Sequence, residues 1–212
     1  MEFKIENTEV YGLNKSIIAS GNPMRTKMSD NTAEYTEKDL SRMELLGNTK
    51  VGEGHDQALT GIIVQFDLYA PLYQWKEIQR YHFLDFVSSQ STMHRLAKFQ
   101  VKDQCVSDTD PEILERYQVL LDQYNAMPDE NNGSNANGSN AADSKKALWR
   151  VLVASLPCGF VLGATMTTNY RQLKTIYNQR KHHKLREWHE FCDWCDTLPL
   201  FKELCLGTDT EK

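Results

Sequence analysis

The chain has 212 residues, of which 40% are hydrophobic and 25% charged. That composition suits one ordinary globular domain with a full core. The net charge of −5 excludes a whole-chain basic field for nucleic acid, so a small anionic ligand would need a local basic pocket.

Residues 1–54 mix short apolar runs with polar turns. Val10, Tyr11 and Leu13 precede Ile17 and Ile18, and Ser20-Gly21-Asn22-Pro23 marks a turn. From Ser29 to Asn48 the chain is rich in Glu, Lys and Leu, with Asp39-Leu40 and Leu45-Leu46 at helical spacing, which predicts one helix. Gly61 to Tyr69 (GIIVQFDLY) predicts a strand, with Val64, Phe66 and Leu68 on one face and Gln65 and Asp67 on the other. Ala70-Pro71 ends it, and Pro71 can open a helix where its missing N–H costs nothing. Leu72, Trp75, Ile78 and His82 fall on one face of that helix. Asp85 to Met93 (DFVSSQSTM) is poor in helix formers and reads as a loop.

Pro111 to Tyr124 predicts a helix whose apolar stripe is Ile113, Leu114, Tyr117, Leu120, Leu121 and Tyr124. Pro128 to Lys146 contains NNGSNANGSNAADSKK, too polar to bury apolar surface, and is expected to be a mobile surface loop rather than a domain boundary. Leu148 to Leu156 predicts a short apolar helix stopped near Pro157. Phe160 to Thr168 predicts a second buried strand, with Asn169 as the N-cap of the last helix, from Tyr170 to about Thr197. The elements give an α+β fold in a single domain spanning residues 1–212.

No apolar run approaches the length of a bilayer span, so no membrane partner is expected. The opening MEFKIENTEVYGL lacks the pattern of a signal peptide. The odd count of five cysteines then points to reduced thiols and a cytoplasmic setting.

The last helix carries the most chemical information. Its inward stripe runs Leu173, Ile176, Tyr177, then Arg180 and His183 or Lys184, then Trp188, Phe191, Trp194 and Leu198. A cation thus interrupts an apolar and aromatic stripe. Either the helix rolls and Arg180 snorkels to water, or its guanidinium faces a pocket for phosphate or a planar carbonyl-bearing ring. Arg80, Tyr81 and His82 at a helix end could hold phosphate or form an exposed polar turn. Cys192-x-x-Cys195, with His182, His183 and His189 nearby, offers zinc ligands. A structural zinc site, however, usually has four ligands, often on loops, and a pair inside a helix packs in a core, so no metal is expected. A redox role is disfavoured near a helix C-terminus, where the helix field raises thiol pKa.

Taken in order, these segments resemble the flavin-dependent thymidylate synthases from about Val10 to Trp194. Gly54-His55 lies ahead of the strand that Ala70-Pro71 ends, and Arg80-Tyr81-His82 stands at the place of the family's Arg-His-Arg signature. Leu156-Pro157 precedes a strand running into Asn169-Tyr170-Arg171-Gln172-Leu173, like the family's Asn-x-Arg-Ser-Leu. Arg180 follows at the family's spacing, with Glu187-Trp188 beyond it.

The resemblance implies an α+β fold with a central mixed or antiparallel sheet and flanking helices, assembled as a homotetramer with FAD at subunit interfaces. It implies transfer of a one-carbon unit from methylenetetrahydrofolate to carbon 5 of a pyrimidine deoxynucleotide, dUMP in the family, with hydride from NADPH passing through the flavin. His55, Arg80, Tyr81, His82, Asn169 and Arg171 fall on the cofactor side. Arg180 falls on the arginine that hydrogen-bonds and polarises the pyrimidine ring. The nucleotide side departs from the family. Gln90 stands at the serine's spacing, flanked by Ser89 and Ser91. Thr92 stands where an arginine grips phosphate, with Arg95 nearby. The family's glutamine is Glu77, a carboxylate that a phosphate tolerates only with an intervening cation, and Arg150 lies one helical turn from another missing arginine. Three outcomes fit these departures: dUMP methylation through rearranged contacts, action on another pyrimidine nucleotide or release of a hydroxymethyl product, or a catalytically degenerate FAD-binding protein of the same fold.

Overall fold

The computed structural model describes residues 1–28, 33–50, 52–128 and 138–207, with the side chains of 138–142 left aside. In chain order its elements are β1 (Lys4–Tyr11), α1 (Leu13–Ala19), a 3₁₀ turn (Asn22–Met24), α2 (Glu37–Gly47), a 3₁₀ segment (His55–Gly61), β2 (Ile63–Pro71) and α3 (Leu72–Ile78). There follow β3 (Asp85–Ser89), α4 (Thr92–Arg95), a 3₁₀ turn (Leu96–Lys98), α5 (Val101–Gln104), α6 (Pro111–Ala126) and α7 (Gly138–Ala154). The chain closes with β4 (Val161–Asn169), α8 (Tyr170–Arg180), α9 (Arg186–Cys195) and α10 (Phe201–Cys205). Among the described residues the strands form one sheet in the order β1-β2-β4-β3. The β2/β4 register is antiparallel: Tyr170 N–H donates to the Ile62 carbonyl and Leu72 N–H to that of Phe160, both at 3.0 Å. No helix among the described residues is long and apolar enough to cross a membrane.

The chain forms two compact units and passes between them several times. One unit comprises residues 1–3, 69–77 and 89–164. Its core is Leu96, Val101, Cys105, Tyr117, Leu121, Leu152 and Phe160. The Tyr117 hydroxyl donates to the Leu152 carbonyl at 2.9 Å, which joins α6 to α7. Burial, and after it the neighbouring Cys105, pushes that phenol well above its ordinary value.

The other unit comprises residues 4–68, 78–88 and 165–212. On β2, Val64, Phe66 and Leu68 are buried while Gln65 is exposed, as the two-residue period requires. Phe66 packs against Phe191 and Trp194 of α9, with ring centroids 6.5 and 4.5 Å apart. Cys192 and Cys195 lie in the same buried face, and burial pushes both thiols up, Cys192 to about 11. The C-terminal end of α2 is set by Gly47, where an added Cβ would meet the Leu204 carbonyl oxygen of α10.

Several sequence expectations need correction. The helix expected over Ser29–Asn48 spans only Glu37–Gly47, and residues 29–32 lie outside the described residues. Thr36 starts it with a capping box, accepting from Asp39 N–H while the Asp39 carboxylate accepts from Thr36 N–H. Hydrogen bonds from Arg42 and then Thr36 hold the Asp39 carboxyl well below its ordinary value. The N-terminal segment read only as apolar runs and turns forms β1 and α1.

The helix after Pro71 stops at Ile78, so exposed His82 does not extend its face. The loop expected over Asp85–Met93 contains β3, whose five residues are all exposed. A strand with both faces exposed carries no alternation to read. The loop expected over Pro128–Lys146 becomes helical at Gly138, and residues 129–137 lie outside the described residues. Ile113 of the expected α6 stripe is exposed. The single helix expected from Tyr170 to Thr197 is two, broken at residues 181–185. Like charges four apart, Arg180 and Lys184, disfavour continuation, and His183 N–H turns back to the Arg180 carbonyl at 2.9 Å.

Replacing Gly47 by alanine is expected to force α2 and α10 apart. The overpacking costs roughly 1–3 kcal/mol, so thermal unfolding monitored by circular dichroism should fall by several degrees.

Candidate functional site

Strand β4 ends where α8 begins, and this junction builds the site. Asn169 is extended, and its side-chain oxygen accepts the Gln172 N–H at 2.9 Å, satisfying an amide the helix start leaves unpaired. The turn places Asn169, Arg171, Gln172 and Thr175 along one wall of a cavity of about 580 Å³. Asp56, Gln57 and Thr60 of the 3₁₀ segment line it as well, and Gly52 and Phe83 complete the lining.

Two of the lining residues, Asp56 and Arg171, belong to a charge cluster that Lys174 completes. The Asp56 carboxylate accepts from Arg171 Nε at 2.9 Å and from Lys174 Nζ at 3.3 Å. The Asp56 and Lys174 side chains are 2% and 4% exposed and that of Arg171 is 35% exposed. Lys174 also donates to the Gly47 and Thr49 carbonyls at 2.7 and 2.6 Å, so all three ammonium protons have acceptors. Arg171 Nη1 donates to the Gln57 side chain at 2.9 Å. One carboxylate and two cations leave a net positive charge, and the cation nearer solvent is the one in the cavity wall.

Asn169 and Arg171, expected on the cofactor side, line the cavity, whereas Asp56 and Lys174 were not singled out from the sequence. Tyr170, Leu173, Lys174 and Tyr177 follow the i, i+3, i+4, i+7 pattern of a buried face. A lysine on that face needs a buried partner, and this was the available signal. His55, predicted on the cofactor side, is exposed and does not line the cavity, although its neighbours Asp56 and Gln57 do.

At the far end of α8, Arg180 is half-buried among aromatic groups. Its guanidinium carbon lies 4.6 Å from the Trp188 ring centroid and 5.4 Å from that of Tyr81. Arg180 Nε donates to the Tyr81 hydroxyl at 2.7 Å, which in turn donates to Gln179 at 3.0 Å. Stacking and hydrogen bonding therefore fix the fork's orientation. Arg80 and His82, flanking Tyr81, are exposed. Arg180 does not line the cavity at the start of α8. Eleven residues at 1.5 Å rise put it roughly 16 Å along the axis from Asn169.

The unit comprising residues 1–3, 69–77 and 89–164 has a cavity of its own, of about 570 Å³. Its lining includes Gln90, Ser91 and Arg95, all singled out from sequence, and also His94, Lys98 and Phe99, which were missed. The spacing His94-Arg95-x-x-Lys98 was the available signal. Gln90 is anchored at both ends: its N–H donates to the Gly163 carbonyl at 2.9 Å, and its Oε1 accepts the Gly163 N–H at 2.8 Å. The Ser91 hydroxyl oxygen accepts the His94 N–H at 3.3 Å as the cap of α4. Cationic and hydrogen-bonding groups line this cavity with no carboxylate among them, which suits an anion. Glu77, half-buried on α3, and Arg150, exposed on α7, are not in its wall.

No family model matches the sequence, and no curated protein matches it. Solved structures do match the fold. The flavin-dependent thymidylate synthase ThyX of Helicobacter pylori, complexed with FAD and dUMP, aligns with TM-score 0.60 at 17% identity, over 97% of this chain and 98% of its own. A second structure of that enzyme with FAD and dUMP aligns equally well, with TM-score 0.60 and 17% identity. The UMP/dUMP methylase PolB of Streptomyces cacaoi, bound with 5-Br dUMP, aligns with TM-score 0.62 at 14% identity, over 96% of this chain and 94% of its own. The chain therefore has the fold these proteins share.

Replacing Lys174 by methionine should leave Asp56 buried with one partner fewer. Loss of one partner of a buried pair costs about 3–5 kcal/mol. Urea unfolding is expected to show a loss of that size, and adding Asp56→Leu should cost less than the sum of the two single changes.

Proposed function

We propose that this chain, with the fold of flavin-dependent thymidylate synthases, is an FAD-dependent enzyme acting at carbon 5 of a pyrimidine deoxynucleotide. The donor is methylenetetrahydrofolate. Delivery of a methyl group consumes one hydride from NADPH by way of the flavin, whereas delivery of a hydroxymethyl group takes up water and consumes no reductant. The supporting observation is the pair of pre-oriented guanidiniums on α8. Arg171 is held by Asp56 at the helix's start, and Arg180 is held between Tyr81 and Trp188 at its end.

The cavity at the start of α8 fits a dinucleotide cofactor. Its one carboxylate, Asp56, is neutralised by Lys174 and Arg171, so no bare anion repels a diphosphate. Arg171 supplies a guanidinium for phosphate, and Asn169, Gln57 and Gln172 supply amides for sugar or ring edges. On this reading His55, Arg80, Tyr81 and His82 complete the cofactor side in the assembled protein. When bound, the flavin supplies the hydride chemistry.

The chain's own catalytic contribution is electrostatic. Reaction from carbon 5 pushes negative charge onto the carbonyl oxygens of the base. Arg180, already oriented by a hydrogen bond and two ring faces, stabilises that charge without reorganising. On this reading Arg95, Ser91 and Gln90 hold the nucleotide phosphate.

A homotetramer belongs to the same reading. Strand β3 lies at the sheet edge with Phe86 and Val87 exposed, an apolar edge that a second copy would cover.

Flavin-loaded protein incubated with methylenetetrahydrofolate and NADPH should add one methyl or hydroxymethyl group to dUMP or dCMP, read by mass spectrometry of the nucleotide. Unchanged nucleotide in every incubation would contradict the reading. The Arg180→Ala variant should keep its FAD absorbance and lose about 10²-fold or more in kcat, the scale seen when one donor to a developing anion is removed.

A further inference from the structure

One residue in the cavity wall at the start of α8 adopts a strained backbone. Phe83 has φ of 61°, in the left-handed region that bulky residues rarely occupy. The strain is held in place: the Phe83 carbonyl accepts the hydroxyl of buried Thr168 at 2.7 Å, and the next residue, Leu84, is buried. Yet Phe83 as a residue is 67% exposed. The conformation thus turns the ring toward solvent, where it contributes little to its own unit's core. Glycine or asparagine would suit the backbone better. A large aromatic side chain kept at such a position points to use by a ligand.

The ring's neighbours around the cavity indicate what that ligand is. Phe83 shares the lining with Arg171, Asn169, Gln57 and Gln172. An apolar aromatic face, a fixed guanidinium and three carboxamides match a planar heteroaromatic ring with polar edges and an attached phosphate. We propose that Phe83 is the stacking platform for a planar ring of the flavin cofactor. This rests on the flavin reading above and adds to it a residue that the Arg-His-Arg resemblance does not mark.

The test titrates flavin-stripped protein with FAD, FMN and ADP, following ligand fluorescence or heat. Wild-type protein is compared with Phe83→Tyr, Phe83→Leu and Phe83→Gly, each verified as folded by circular dichroism. The tyrosine variant should bind FAD within about threefold of wild type, because it keeps the ring. The leucine variant should bind at least tenfold more weakly, because it keeps bulk but loses the π face. The glycine variant should lose affinity as the leucine variant does while melting no lower than wild type, because it relieves the strained φ. A loss shared by FAD and FMN assigns the isoalloxazine ring, and a loss shared by FAD and ADP assigns the adenine.

Leucine and tyrosine variants that bind FAD equally well would overturn the role. So would a glycine variant with a lowered melting temperature, which would make the ring part of the fold's own packing. Wild-type affinity accompanied by a changed mass in light scattering would place the ring at a contact between copies, again overturning it. Wild-type protein that binds neither FAD nor FMN would instead remove the flavin reading itself.

Discussion

The Asp56 carboxylate sits between the ammonium of Lys174 and the guanidinium of Arg171, and the geometry of the cavity wall follows from that contact. A buried carboxylate without cations would be strongly penalised. Here it meets two, and the more deeply buried of them also satisfies the last carbonyls near the end of α2. The cluster therefore fixes three segments at once: the end of α2, the 3₁₀ segment beginning at His55, and the first turns of α8. It also orients Arg171 before any ligand arrives, so little side-chain entropy is left to lose on binding.

Helix α8 carries this order from one end to the other. Its start is defined by the Asn169 cap and the Arg171 ion pair, and its end by Arg180 lodged against Tyr81 and Trp188. The break after Arg180 is part of the arrangement. Were the helix continuous, Trp188 would lie about two turns further along the axis. The turn at residues 181–185 instead brings the Trp188 ring back onto the guanidinium. A guanidinium stacked on aromatic faces is held in one direction, as stabilising an anion on a planar base requires.

Much of this was legible in the sequence where period and caps speak plainly. The alternation in Val64, Phe66 and Leu68 marked β2, and Asn169 marked the start of α8. What failed did so for physical reasons. Strands β1 and β3 are largely exposed, so burial imprints no pattern on them. The end of the long predicted helix was set by local charge and by packing of Trp188, which apolar periodicity does not register. Lys174 was missed because a lysine on an apolar stripe reads as a flaw until its partner, over a hundred residues earlier in the chain, is known. Arg180 was legible as an exception to its stripe, but not the use of Tyr81, a departure from the family's signature, as its hydrogen-bond partner.

On the proposed reading, hydride from a bound reduced flavin completes methyl transfer onto a pyrimidine nucleotide. The most direct test of that claim is an anaerobic flavin reoxidation. Flavin-loaded protein is bleached with NADPH, and methylenetetrahydrofolate and dUMP or dCMP are then added separately and together. The expected result is that flavin absorbance returns only when the folate and one of the nucleotides are both present. Absorbance that stays bleached with every combination, or that returns without any nucleotide, would contradict the claim.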